Sequence, residues 1–152
     1  MQVFTIAPAG MKPLWVLLPV ALILVFVVGL LAVSVWGSRG ARFEVSPQGL
    51  RLRGDLYGRF LPAASLRTEA ARRIDLADLP ELQPRRRTMG TGLPGYQSGW
   101  FRLANGESAL LYLTDRRKAV YVPTTLGYSL LISPDDPDAF VSMLRTLYPA
   151  PP

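Results

Sequence analysis

The sequence predicts a mainly β protein: one membrane-spanning helix near the N-terminus, then a small domain of about seven short antiparallel strands capped by a C-terminal α-helix. Three observations lead there. No charged residue occurs between Lys12 and Arg39. Between Arg42 and Ile132 the apolar residues recur mostly with period two, as on a pleated strand. From Phe140 to Tyr148 they recur at helical spacing.

The chain has 152 residues, with 17 Lys+Arg against 11 Asp+Glu and a net charge of +6. That length suits one domain. The absence of cysteine excludes disulfide frameworks, thiolate zinc sites, iron–sulfur sites and cysteine nucleophiles. The absence of histidine removes histidine metal sites, Ser–His–Asp triads and the commonest general base.

Residues 1–12 read as a short tail and 13–36 as the span, PLWVLLPVALILVFVVGLLAVSVW. As a helix the span would extend about 36 Å, enough for a hydrocarbon core of about 30 Å. Trp15 and Trp36 stand at its ends, where amphipathic rings favour the headgroup level. Pro13 fits a first helical turn, and Pro19 follows further in. A buried helix apolar all round would need a much larger protein about it. A cleaved signal peptide is the other reading, with Ala32-Val33-Ser34 the nearest cleavage match. The single lysine before the run and the run's length weigh against it. Lys12 precedes the span, whereas Arg39, Arg42, Arg51 and Arg53 follow it. The positive-inside rule therefore predicts a single-pass cell-membrane protein with a cytoplasmic C-terminal domain.

After a linker, 37–40, the domain is expected over 41–148. Phe43 and Val45 alternate with Arg42 and Glu44, and Leu50 and Leu52 with Arg51 and Arg53, on either side of a Pro47-Gln48-Gly49 turn. Arg59–Leu66, interrupted by Pro62, and Ala71–Leu76 are the next strand candidates. The stretch 77–98, with three prolines, Gly90, Gly92, Gly95 and the run Arg85-Arg86-Arg87, reads as a long irregular loop. Gly99–Leu103 and Ser108–Thr114 flank Asn105-Gly106, the pattern of a hairpin with a type I′ turn. Asp115-Arg116-Arg117 reads as the next turn, Ala119–Val122 as a strand, Pro123–Gly127 as a connection and Tyr128–Ile132 as the last strand.

A helix is expected from Ser133, with Ser133 as cap, Pro134 at its first position and Asp135, Asp136 and Asp138 near the positive end of its dipole. Phe140, Val141, Leu144, Leu147 and Tyr148 form its apolar face, with Phe140, Leu144 and Leu147 closing on the strands and Arg145 facing away. Residues 149–152 are a proline-rich tail.

Four stretches resemble bacterial pleckstrin-homology (PH) domain proteins that carry an N-terminal membrane span: Arg42–Arg53 (RFEVSPQGLRLR), Gly92–Tyr112 (GLPGYQSGWFRLANGESALLY), Thr114–Pro123 (TDRRKAVYVP) and the helix start Ser133–Phe140. The resemblance covers roughly 41–148. It implies a PH-like barrel whose C-terminal helix plugs the open end, and a membrane location. It implies no catalytic residues.

Gly90–Gly95 matches G-x-G-x-x-G in letters. A dinucleotide site needs a helix opening at the last glycine. Here Gly99-Trp100-Phe101-Arg102 reads as strand instead, so the stretch is a glycine-rich turn. Arg85, Arg86 and Arg87, with Arg72 and Arg73, form the densest positive charge. They are the candidate contact for anionic lipid headgroups or a protein partner. Asp115–Lys118 lies between late strands. The phosphoinositide role of the early basic loop in eukaryotic PH domains therefore does not transfer to it, and it reads as a charged turn. Trp100, Phe101, Tyr112, Tyr121 and Tyr128 read as core and cross-strand aromatics. No nucleic-acid signature occurs. No catalytic, cofactor or metal residues are expected: Lys12 and Lys118 are the only lysines, and neither is spaced with a serine as a dyad. The expected function is a non-enzymatic scaffold or protein-interaction module beside the membrane, and the alternative is a lipid-sensing module using Arg85–Arg87.

Overall fold

The uncharged run forms one continuous helix, α1, Lys12–Gly40. A computed structural model of the chain describes residues 12–54 and 56–149. The predicted tails fall outside these residues except for Lys12 and Pro149. Within α1, Trp15–Val33 is long and apolar enough to cross a membrane, with a mean hydropathy of 3.2 and every side chain exposed. A signal sequence near an N-terminus passes the same test. The helix continues through 37–40, where the sequence suggested a linker. The chain divides into two compact units after Val35.

After the end of α1, the second unit has β1 (Arg42–Ser46), β2 (Gly49–Arg53) and β3 (Phe60–Pro62), an antiparallel sheet in that order. Alternation puts Leu50, Leu52 and Leu61 into the core, with Phe43 and Val45 packed beside them. Arg51 and Arg53 face out. β3 ends at Pro62 rather than Leu66, because proline cannot donate to a ladder. Ala63–Ser65 turn as 3-10 helix instead.

The remaining strands are β4 (Arg72–Ile74), β5 (Pro84–Leu93), β6 (Tyr96–Leu103), β7 (Ser108–Leu113), β8 (Ala119–Pro123) and β9 (Ser129–Ile132). They form one sheet in the order β4-β8-β9-β7-β6-β5. β9 lies between β7 and β8, parallel to the first and antiparallel to the second. The Asp115–Arg117 turn therefore joins strands that are not neighbours. The expected barrel of about seven antiparallel strands is thus replaced by nine strands in two sheets among the described residues. The sheets are not closed. A single bridge, Leu66 to Thr124, links residues outside the named strands, and the large sheet keeps two edges, β4 and β5.

Both faces of the large sheet's inner strands are covered. One carries Leu110, Tyr112, Val120, Val122, Leu130 and Ile132 against the small sheet and the helix α2, Pro137–Leu147. The other carries Phe101, Leu103, Ala109, Leu111, Leu113 and Leu131 against Leu76 and Leu82. The segment between β4 and β5 is thus a lid on the second face. This two-sided burial explains the unbroken apolar runs LLYL and LLI.

Much of the predicted 77–98 loop is strand. β5 and the first part of β6 occupy it, joined by Pro94-Gly95 with Gly95 at φ +79°. Proline followed by a positive φ is a type II turn. The hairpin between β6 and β7 stands where Asn105-Gly106 predicted it, but its turn is not type I′. No residue other than glycine has a positive φ among the described residues, so Asn105 does not. Gly106 N donates to Leu103 O at 3.0 Å and Leu103 N to Glu107 O at 2.8 Å, which gives a type I turn followed by a left-handed glycine at φ +88°. Gly106→Val lowers the melting temperature of unit 36–152, at a cost of about 1–3 kcal/mol, because a β-branched residue resists that φ.

α2 begins three residues later than Ser133-Pro134 suggested. Asp136 is the cap, its carboxylate accepting from Ala139 N at 3.0 Å, and Pro137 takes the first position. Ser133 instead donates to Asp115 O at 2.8 Å. Pro137, Val141, Leu144 and Tyr148 are the buried residues; Phe140 is half-buried and Leu147 is exposed. Arg145, expected to face away, donates to Ala71 O at 2.7 Å.

Candidate functional site

The five arginines singled out in the sequence do not form one patch. Arg72 and Arg73 lie on β4 and Arg85, Arg86 and Arg87 on β5, at opposite edges of the large sheet. Arg72 and Arg73 are engaged: the Arg72 guanidinium sits over the Tyr121 ring, 5.3 Å from its centre, and Arg73 Nη1 meets Asp138 Oδ2 at 2.9 Å. Exposed pairs of this kind are worth about 0–1 kcal/mol and serve mainly to seat side chains.

Arg85, Arg86 and Arg87 are exposed, and none is ion-paired among the described residues. Register makes their position more costly. Arg86 stands directly across from Arg102 of β6, and like charges directly opposed on a sheet destabilise it. Arg102 Nη1 donates to Gly106 O at 2.8 Å, which turns that side chain toward the hairpin. Two shifts of register, at Arg85 and Thr88, twist this end of β5, while Met89–Leu93 pairs without interruption.

A cleft of about 540 Å³ lies past the other end of β5. Its walls are the turn Gly92–Gln97 and the segment Leu113–Arg117. Arg116 Nη2 is held by Gln97 Oε1 at 3.2 Å. The G-x-G-x-x-G letters fall here, on a strand running into a tight turn, with no helix opening at Gly95. No helix N-terminus stands there to meet a pyrophosphate, as the dinucleotide fingerprint requires.

The sequence reading missed two clusters. In the first, Glu107 just before β7, Tyr121 in the middle of β8 and Ser129 at the start of β9 meet. Tyr121 OH lies 3.1 Å from Glu107 Oε2, and the buried Ser129 hydroxyl bonds Glu107 Oε1 and Tyr121 OH. Burial pushes the Tyr121 hydroxyl above its ordinary range. The Ser129 hydrogen bond pulls the other way, and the Glu107 charge adds to the rise. The phenol thus stays protonated and donates to the carboxylate. The trio satisfies the buried Ser129 hydroxyl and the half-buried Glu107 and Tyr121 side chains. Because the folded hydroxyl titrates above the unfolded value of 10.0, its contribution is complete below pH 10 and fades as pH rises past 10 and through the folded value. Alkaline denaturation of Tyr121→Phe should therefore show a shallower loss of stability above pH 10 than the parent chain.

The second missed cluster surrounds the turn between β2 and β3. Arg51, Arg53 and Arg59 line a shallow cleft of about 380 Å³. Each has a partner: Arg51 lies over Phe60 at 5.6 Å, Arg53 meets Glu44 at 3.3 Å, and Arg59 lies over Trp100 at 4.8 Å. Trp100 and Tyr128 meet edge to face, 4.8 Å apart, while Phe101 and Tyr112 sit in the two cores. The i, i+2 spacing of Arg51 and Arg53 was the available signal, since it puts both on one side of a strand.

Asp135, Asp136 and Asp138 do not converge: Asp136 caps α2 and Asp138 pairs with Arg73. Among the described residues no group of three acidic, histidine or cysteine side chains is placed to hold a metal ion.

Residues 74–147 match the bacterial PH domain family. The match runs from the end of β4 to the end of α2, and so takes in five strands of the large sheet, the lid and the helix. The small sheet and α1 lie outside it. No curated protein and no solved structure gives a significant match to the chain.

Proposed function

We propose that this chain, a bacterial PH domain at residues 74–147 behind an apolar helix, is a non-enzymatic, single-span membrane protein whose domain acts as a membrane-adjacent scaffold for a protein partner. The observation that carries the reading is the join. Helix α1 ends at Gly40 and β1 starts at Arg42, with Ala41 alone between them. A domain tethered so closely stays wherever the helix is anchored.

The basic residues after the span orient the domain toward the cytoplasm. Protease added to intact spheroplasts should leave 41–152 uncut.

A second reading, recognition of anionic lipid headgroups through Arg85, Arg86 and Arg87, is favoured by their exposure side by side on one strand. Each would contribute up to about 1 kcal/mol near an anionic surface. Photo-crosslinking from exposed positions, Phe60 and Met89, in native membranes separates the two. The scaffold reading expects a discrete protein adduct. Lipid adducts alone would favour the headgroup reading, and no adduct of either kind would contradict both.

A further inference from the structure

We propose that the outer edge of β5 is a docking site for an extended acidic peptide segment of a partner protein, which adds to the large sheet as a further strand. The inference rests on the scaffold reading and names the class of its partner.

Three observations lead to it. The first is the contrast between the two edges. β4 is three residues long, and its Arg73 is tied to Asp138 of α2. β5 is ten residues long, against a usual length of about 5–6. It pairs with β6 on one side, and among the described residues no backbone group pairs with it on the other. A row of unpaired N–H and C=O groups is a template for another strand.

The second is charge. Arg85, Arg86 and Arg87 share one end of this edge, and Arg86 faces Arg102 across the ladder with no carboxylate paired to any of them among the described residues. The arrangement is self-repelling as it stands, and an incoming carboxylate relieves it. A second copy of this chain pairing through the same strand would bring no carboxylate to them, since β5 carries none. The occupant is therefore acidic and of a different sequence.

The third is the far half of the strand. Met89–Leu93 keeps regular register, and its apolar side chains are uncovered, with Met89 62% and Leu93 40% exposed. Gly90 and Gly92 alternate with these residues and put no side chain beside them. An added strand would find backbone hydrogen-bond partners and apolar contacts there, while its acidic residues meet the arginines.

The test uses the full chain in nanodiscs of zwitterionic lipid. The probe is a labelled peptide of alternating glutamate and valine, of the same ten-residue length as β5, read by fluorescence anisotropy. The proposal expects binding that falls about tenfold or more in Arg85→Gln/Arg86→Gln/Arg87→Gln, as the loss of several charge-assisted contacts requires. It also expects binding to be lost when alternate peptide nitrogens are methylated, since methylation removes ladder donors and keeps every charge. Equal binding of the methylated peptide, or of a lysine-valine counterpart, would overturn it. So would a triple variant that keeps its peptide affinity and loses affinity only for phosphatidylglycerol discs, which would make the strand a lipid contact. Failure here together with protein adducts from Phe60 in native membranes would leave the scaffold reading standing and remove the β5 site alone.

Discussion

Leu144→Ala destabilises unit 36–152 by about 2–5 kcal/mol, measured as a lower denaturant midpoint, because it empties a fully enclosed site. Leu144 is 0% exposed and shares a cluster with Leu66, Ala71, Val141 and Tyr148. The control is Leu147→Ala, the same chemistry three residues on. Leu147 is 41% exposed, so its loss costs within about 1 kcal/mol. Arg145→Ala falls between, at about 1 kcal/mol, since it removes the hydrogen bond to the Ala71 carbonyl. Equal midpoints for the two leucine variants would mean that α2 does not pack on the sheets.

Gly99→Ala has the second large effect, and it acts on the β5–β6 pairing. Gly99 has φ +113° and stands across from Gly90. A Cβ there would lie 2.5 Å from Met89 O and 2.6 Å from Gly90 Cα, both backbone atoms that no side-chain rotation can move. Strain at that φ alone costs about 1–3 kcal/mol, and the clash adds to it by forcing the strands apart. The expected result is a fall in melting temperature together with faster amide exchange across 84–93. An unchanged exchange pattern would mean that the strands are not so close.

What the sequence revealed depended on which faces each element buries. β1, β2 and the β6–β7 hairpin were legible because one side of each is apolar and the other polar, or because Asn-Gly marks the turn. The turn type was not legible. The letters Asn-Gly suit both a type I′ turn and a type I turn with a left-handed glycine, and the φ of Asn105 decides between them. β5 was hidden for the opposite reason. An edge strand exposed on both sides carries no alternation, and its proline and glycines imitate a loop. The helix start was ambiguous by repetition, since Ser133-Pro134 and Asp136-Pro137 offer the same cap-then-proline signal.

Adjacency between distant segments left no local trace. Arg72 and Arg73 looked like neighbours of Arg85, Arg86 and Arg87 because the chain separation is short, yet strand order puts them on opposite edges. The insertion of β9 between β7 and β8 left no mark beyond the apolar runs themselves. Glu107, Tyr121 and Ser129 come together across separations of 14 and 22 residues, at spacings no motif describes.

The proposed scaffold requires that the apolar helix stay with the domain as its anchor. The direct measurement is the intact mass of the chain recovered from cells, taken after alkaline carbonate extraction of the membrane fraction. An anchored chain remains in the membrane pellet, and its mass still includes Trp15–Val33. A soluble chain whose mass begins after Ser34, near the Ala32-Val33-Ser34 match, would show a cleaved signal sequence and contradict the anchored-scaffold account.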